Sequence, residues 1–173
     1  MNFGPLGLTF LANRRCYPSP APRGAGTQRE LRMAEFNLKL EVDCLSPAAV
    51  RVLIVEDFPL YRQFVCSMLA GRSDLRIIEE VSDGVEAVQK AAELKPDLIL
   101  LDIGLPTMNG IEAARRIRAL VPESKIIFLS QESSADLIEE ALKAGARGYV
   151  VKTQADSQLL ATIDAAISNG VPR

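Results

Sequence analysis

The chain has 173 residues, of which 48% are hydrophobic and 24% charged, with a formal net charge of −2 and a pI near 5.3. That is enough for one domain of ordinary size with an extension, and the acidic balance gives no electrostatic case for nucleic acid. Histidine is absent altogether, which excludes Ser-His-Asp and Cys-His catalysis, histidine metal sites and a self-contained histidine phosphocarrier.

Residues 1–32 are rich in Pro, Gly and Arg, hold five arginines against one glutamate, and show no hydrophobic periodicity. This composition predicts disorder. The opening stretch lacks a basic n-region, is broken by Gly4, Pro5 and Gly7, and has its arginines after the apolar part, so a secretory signal is not expected. Met33 opens a segment that reads as a protein start in its own right. Residues 1–50 are therefore expected to be a disordered or weakly ordered extension, with 1–32 derived from an upstream start codon. Cys16, Cys44 and Cys66 are scattered with no C-x-x-C pair. They read neither as a disulfide framework nor as a zinc site, and they favour a reducing compartment. No apolar run approaches the ~20 residues of a membrane span, and a cytoplasmic location is expected.

From Arg51 the pattern becomes regular. Val52–Val55 is an apolar run, followed by Leu60, Phe64, Val65 and Met68 at helical spacing. Arg76–Val81 is strand-like but more polar, and Val85, Val88 and Ala92 mark a second helix. Leu98–Leu101 is purely apolar, and Ile111, Ala114 and Ile117 mark a third helix. Ile126–Leu129 is a fourth strand, followed by Leu137, Ile138, Ala141 and Leu142 as a fourth helix. Gly148–Val151 is a short fifth strand, and Leu159, Leu160, Ile163 and Ile167 mark the last helix. Five βα repeats imply an α/β fold with a parallel sheet and helices on both faces. Continuous apolar runs suit strands buried on both faces, so strands one, three and four are central. Strand two carries Glu79 and Glu80, and strand five carries Gly148 and Tyr149; these two are the edges. The order 2-1-3-4-5 of a flavodoxin-like doubly wound sheet fits, with a ligand site at the carboxyl ends of the strands. The domain so read spans 51–170, with 171–173 as a tail.

At that edge strand one delivers Glu56 and Asp57, strand three Asp102, strand four Ser130 and strand five Lys152. Each alone has an ordinary structural explanation: Asp57 or Ser130 as a helix cap, Asp102 as the opening of a loop, Lys152 as a strand-end lysine. The set is harder to explain away. Carboxylates ~4 Å apart repel by about 4 kcal/mol per pair at an effective dielectric near 20, and a fold gathers three of them only with compensation. Hard oxygen ligands suit Mg²⁺, and Lys152 adds positive charge. A carboxylate between Mg²⁺ and an ammonium is placed to act as a nucleophile toward phosphorus, and Ser130 to hydrogen-bond the arriving phosphoryl group.

The phrases Val55-Glu56-Asp57, Leu101-Asp102-Ile103-Gly104-Leu105-Pro106, Leu129-Ser130 and Tyr149-Val150-Val151-Lys152-Thr153 closely resemble the response-regulator receiver domain of two-component systems. The resemblance runs from about Arg51 to Gly170. Asn109-Gly110 and Ala144-Gly145-Ala146-Arg147-Gly148-Tyr149 are similar to receivers of the LuxR-type (NarL/FixJ) class. The resemblance implies that Asp102 is the phosphoacceptor, that Glu56, Asp57 and Asp102 bind Mg²⁺ with the Gly104 backbone, and that Ser130 and Lys152 contact the phosphoryl group. It implies that Tyr149 turns inward when Ser130 moves. It also implies a sensor histidine kinase or a small acyl phosphate as donor, and a homodimer or an unidentified downstream protein engaged through helix four, strand five and helix five. The receiver would catalyse only its own phosphotransfer and dephosphorylation. Gln131 and Glu132 depart from the small or apolar residues common after this serine, which bears on the approach of a dephosphorylating water.

The chain ends just after the last helix, so direct DNA binding is not expected of it; a truncated transcriptional regulator is the alternative for output. Other readings fit less well. A nucleotide- or flavin-binding protein needs a glycine- or hydroxyl-rich loop after strand one, where this chain has Glu56-Asp57-Phe58-Pro59. An aspartate-nucleophile phosphatase commonly places a second Asp two residues on, where this chain has Gly104. A phosphorylation-silent interaction module would be expected to have lost one of Glu56, Asp57, Asp102, Ser130 or Lys152.

Overall fold

The computed structural model describes residues 49–168; the expectations for the N-terminal extension, for Met33 and for the tail lie outside the described residues. Five strands, β1 (Val50–Val55), β2 (Leu75–Val81), β3 (Leu98–Asp102), β4 (Lys125–Ser130) and β5 (Gly148–Val151), form one sheet in the order β2-β1-β3-β4-β5. All four pairings are parallel. Helices α1 (Pro59–Leu69), α2 (Gly84–Leu94), α3 (Gly110–Leu120), α4 (Ala135–Lys143) and α5 (Ala155–Ser168) follow the strands in turn, the last after a short 3₁₀ turn over Lys152–Gln154.

The alternation of side chains along β3 shows how the core divides. Leu98 and Leu100 pack with α1 and α5 through Val65, Leu69, Leu159 and Ile163, whereas Ile99 and Leu101 pack with α2, α3 and α4 through Ala87, Ile117 and Ala141. Every residue of β3 is buried, as a strand covered on both faces requires. β2 is an edge strand as read from its glutamates, and its register slips by one residue between Val52 and Leu53 of β1. The extra residue, Ile78, is the mark of a bulge.

Two apolar stripes were placed differently by periodicity and by packing. On α1 the inward residues are Val65 and Leu69, while Leu60 is 69% and Phe64 38% exposed. Apolar residues at 60, 61, 64, 65, 68 and 69 spread over more of the circumference than one sheet face can cover, and the sheet takes the 61/65/69 side. On α4, Ala141 is buried and Leu142 is exposed. Cys66 packs against the α1/α5 core and is partly buried; burial, with Glu80 nearby, pushes its thiol up to about 11. A thiol held neutral in this way is a poor nucleophile.

Local chemistry sets the starts of α2, α3 and α4, which lie at the carboxyl edge of the sheet. Asp83 accepts from the N–H groups of Val85 and Glu86, Asn109 from that of Glu112, and Ser134 from that of Leu137. Each satisfies an N–H left orphaned by the helix start. α1 instead begins on Pro59, with Phe58 at the cap position and no side-chain cap, so Asp57 is free of capping duty. Gly145, at φ +92, takes the left-handed position after α4, over the side chain of Arg118.

Candidate functional site

The strand registers bring the sequence-derived residues together. Val55 pairs with Leu101, Asp102 with Leu129, and Ser130 with Val151, so Glu56, Asp102, Ser130 and Lys152 all reach the same carboxyl edge. Carboxylate oxygens of Glu56, Asp57 and Asp102 lie within 4.8 Å of one another. Glu56 is fully buried and Asp102 is 5% exposed, whereas Asp57 is open to solvent.

Lys152 supplies the compensating charge. Its ammonium donates to Glu56 Oε1 at 2.9 Å, lies 2.7 Å from Glu56 Oε2 without hydrogen-bond alignment, and is 3.1 Å from Asp102 Oδ2. Two acids thus share one ammonium that is itself only 9% exposed. The Glu56 carboxyl is further held by the Phe58 N–H at 3.2 Å, and its backbone carbonyl by Arg62 at 2.7 Å. Burial pushes the Glu56 carboxyl above its ordinary range; the Lys152 hydrogen bond opposes this, and the charge of Asp102 adds to it.

The loop after Asp102 is held against the edge. The Ile103 N–H donates to Leu129 O at 3.2 Å, and the Gly110 N–H donates to Ile103 O at 3.0 Å. Gly104 follows, and a Cβ there would meet Asp102 Oδ2 at ordinary van der Waals distance. At Gly110 the start of α3 runs so close to β3 that a Cβ would collide with the Asp102 carbonyl. Gly110→Ala should therefore cost about 1–3 kcal/mol of stability and shift the backbone that carries Asp102. A thermal melt checks this, and an unchanged midpoint would show slack at the start of α3.

Ser130 is buried at the end of β4, and its Oγ accepts from the Glu132 N–H at 3.1 Å. The Tyr149 hydroxyl on β5 donates to the Glu132 carbonyl at 2.7 Å. One short loop therefore links the serine at the site to the aromatic on the edge strand. An open cleft of about 510 Å³ joins the parts, lined among others by Asp57, Asp102, Gly104, Ser130, Glu132 and Lys152. Three arginines on α3 are engaged in ordinary contacts: Arg115 and Arg116 with Glu112, Arg115 also with Glu140, and Arg118 with the Gly145 carbonyl.

Sequence reasoning passed over Tyr61. Its ring lies under the Lys152 ammonium, 4.7 Å from Nζ to the centroid. The available signal was positional: an aromatic in the first turn of the helix that follows the acidic pair.

The donor set is chemically suited to a small, hard divalent cation. Three carboxylates beside an open cleft offer oxygen ligands with room for water, the pattern Mg²⁺ prefers.

The fold and this acidic edge define a class. The family described as the response regulator receiver domain matches residues 52–164, and the chain belongs to that family, the receivers of two-component systems. It is 36% identical over 124 residues to the transcriptional regulatory protein LiaR of Bacillus subtilis, covering 72% of this chain and 58% of LiaR. Among solved structures it is similar to the response regulator domain of Thermotoga maritima CheB (TM-score 0.65, 32% identity, 72% of this chain and 99% of that one). It is also similar to a chain of the CheX-CheY-BeF3-Mg²⁺ complex of Borrelia burgdorferi (TM-score 0.65, 26% identity, 72% and 92%). The chain spans a little over half the length of the curated relatives it matches.

Proposed function

We propose that this receiver accepts a phosphoryl group on Asp102 from a phosphohistidine of a sensor kinase or from a small acyl phosphate. The observation that carries the reading is the shared ammonium: Lys152 bridges Glu56 and Asp102 at one edge of the cleft, with Asp57 completing the acidic set. In the transfer an Asp102 oxygen attacks phosphorus, a P–O bond forms, and the donor's P–N or P–O bond breaks. The imidazole or carboxylate leaves with the electron pair, and an acyl phosphate remains on Asp102. Glu56, Asp57, Asp102 and the Gly104 carbonyl would hold Mg²⁺, which when bound supplies charge neutralisation at the phosphoryl oxygens.

The protein's own groups do the rest. Lys152 keeps the nucleophile's neighbour Glu56 compensated and meets the incoming negative charge. The Ser130 Oγ already accepts from Glu132, so its O–H is free to donate to a phosphoryl oxygen. As the serine turns toward that oxygen, the Glu132 loop loosens and the hydroxyl of Tyr149 loses its carbonyl anchor. Tyr149 then moves inward, changing the surface of α4, β5 and α5 read by a partner protein or by a second copy. Because the curated relatives LnrK and LiaR are named transcriptional regulatory proteins, transcriptional control is the corresponding proposal for the whole protein. Phe58, at the cap of α1, and Leu60 and Phe64 on the helix leave an exposed apolar flank. Cytoplasmic placement belongs to the same reading; among the described residues, no helix is long and apolar enough to cross a membrane.

Intact mass after incubation with acetyl phosphate and Mg²⁺ tests the proposal. Wild type should gain one phosphoryl group and Asp102→Asn none. Equal adducts on both would move the acceptor elsewhere, and no adduct on either, even with a histidine kinase supplied, would favour a silent interaction module.

A further inference from the structure

The geometry assigns Tyr61 as the positioning residue for Lys152: the face of its ring holds the ammonium over the carboxylates of Glu56 and Asp102. This rests on the phosphoryl-transfer reading for its consequence, though not for the contact itself. Lysine is a flexible side chain that loses substantial rotamer freedom when fixed, and here it is fixed on three sides. Glu56 and Asp102 take one side each, and the Tyr61 ring closes the third at 4.7 Å, within cation–π range.

The three walls differ in one respect that matters for a reaction. When Asp102 becomes an acyl phosphate, its carboxylate ceases to be the anion that Lys152 was pairing with. The attraction of the ring quadrupole does not change with the state of Asp102. Tyr61 therefore keeps the ammonium aimed at the cleft while its ionic partners change.

The phenol contributes through its ring and not its oxygen. The Tyr61 hydroxyl is buried and has no hydrogen-bond partner among the described residues. Burial and the charges of Glu56 and Asp102 push it up to about 12, so it stays neutral and the ring face stays electron-rich. The ring neighbours that of Phe64, with centroids 5.7 Å apart and planes tilted by 42°, and packs against the α1/α5 core. With Phe58, Gln131, Lys152 and Thr153 it lines a second groove of about 390 Å³ next to the phosphoryl cleft.

The test uses the full 173-residue chain carrying Tyr61→Leu, Tyr61→Phe, or phenylalanine with an increasingly fluorinated ring at position 61. Fluorination drains the ring face at nearly constant shape. Two quantities are read: the rate of adduct formation with acetyl phosphate and Mg²⁺, and trace acylation of the Lys152 amine without metal or donor, measured by peptide mass. Tyr61→Leu should slow phosphorylation roughly 3- to 10-fold and speed acylation of Lys152 by a similar factor. Tyr61→Phe should rescue most of both, and the fluorinated series should fall stepwise toward the leucine value. Leucine behaving like phenylalanine, or a series indifferent to fluorine, would overturn the assignment. If the acylation series keeps its graded order while no chain takes up phosphoryl, the Tyr61–Lys152 contact stands and the phosphoryl-transfer reading fails.

Discussion

Lys152→Met should destabilise the metal-free protein by about 3–5 kcal/mol near neutral pH, the cost of removing one partner from a buried ion pair. Methionine keeps the apolar stem, so the loss isolates the charge. Glu56 is fully buried, and the Lys152 ammonium lies within 2.7–3.1 Å of its two oxygens and Asp102 Oδ2. Without the ammonium, Glu56 keeps only the Phe58 N–H and faces a second carboxylate.

The pH dependence has a definite sign. The Glu56 carboxyl is already raised above 4.5 by burial, with Asp102 adding to the rise and Lys152 restraining it. For an acid raised in the fold, stability is fully present below the unfolded value and is lost as pH climbs through the folded one. Removing Lys152 lifts the folded value further, so the deficit should be larger at about pH 8 than at about pH 5. Urea denaturation in the presence of a chelator at both pH values measures this, and added Mg²⁺ should recover part of the loss. A deficit under ~1 kcal/mol that is equal at both would mean that water, and not Lys152, compensates Glu56.

Asp102→Asn should act in the opposite direction. Repulsion from Glu56 and from Asp57, each within 4.8 Å, amounts to about 3.5 kcal/mol per pair at an effective dielectric of 20, against an attraction to Lys152 of about 5 kcal/mol. The net is unfavourable to the Asp102 charge, and solvent around the exposed Asp57 reduces it to about 1 kcal/mol. Without Mg²⁺ the variant should therefore melt roughly 3–6 °C higher than wild type. It should respond less to added Mg²⁺ because one anionic ligand has become neutral, and it should take no phosphoryl adduct. A melting point unchanged in both metal conditions would mean that the three acids do not act on one another.

The alternation of apolar runs and helical stripes was sufficient to read five βα units, and the polarity of Arg76–Val81 against the pure runs of Leu98–Leu101 and Ile126–Leu129 was sufficient to order the strands. The acidic pair, Asp102, Ser130 and Lys152 were legible for the same reason. In a parallel sheet each strand ends at the same edge, so residues that terminate strands become neighbours without further information. Helix faces were less legible. Leu60, Phe64 and Leu142 continue apolar patterns yet point outward, because a wide apolar pattern on one helix leaves the choice of buried stripe to the sheet it meets.

Sequence alone thus determined the fold class, the strand order and the identity of the residues at the carboxyl edge, since hydrophobic period and chain direction are local properties. Tertiary structure decided how those residues share charge. That one ammonium serves both Glu56 and Asp102, that Tyr61 lies beneath it, and that the Glu132 backbone links Ser130 to Tyr149 all depend on distances across strands and loops far apart in the chain. Electrostatic and cation–π attractions fall off over a few ångströms, so only the packed fold can say which groups feel one another.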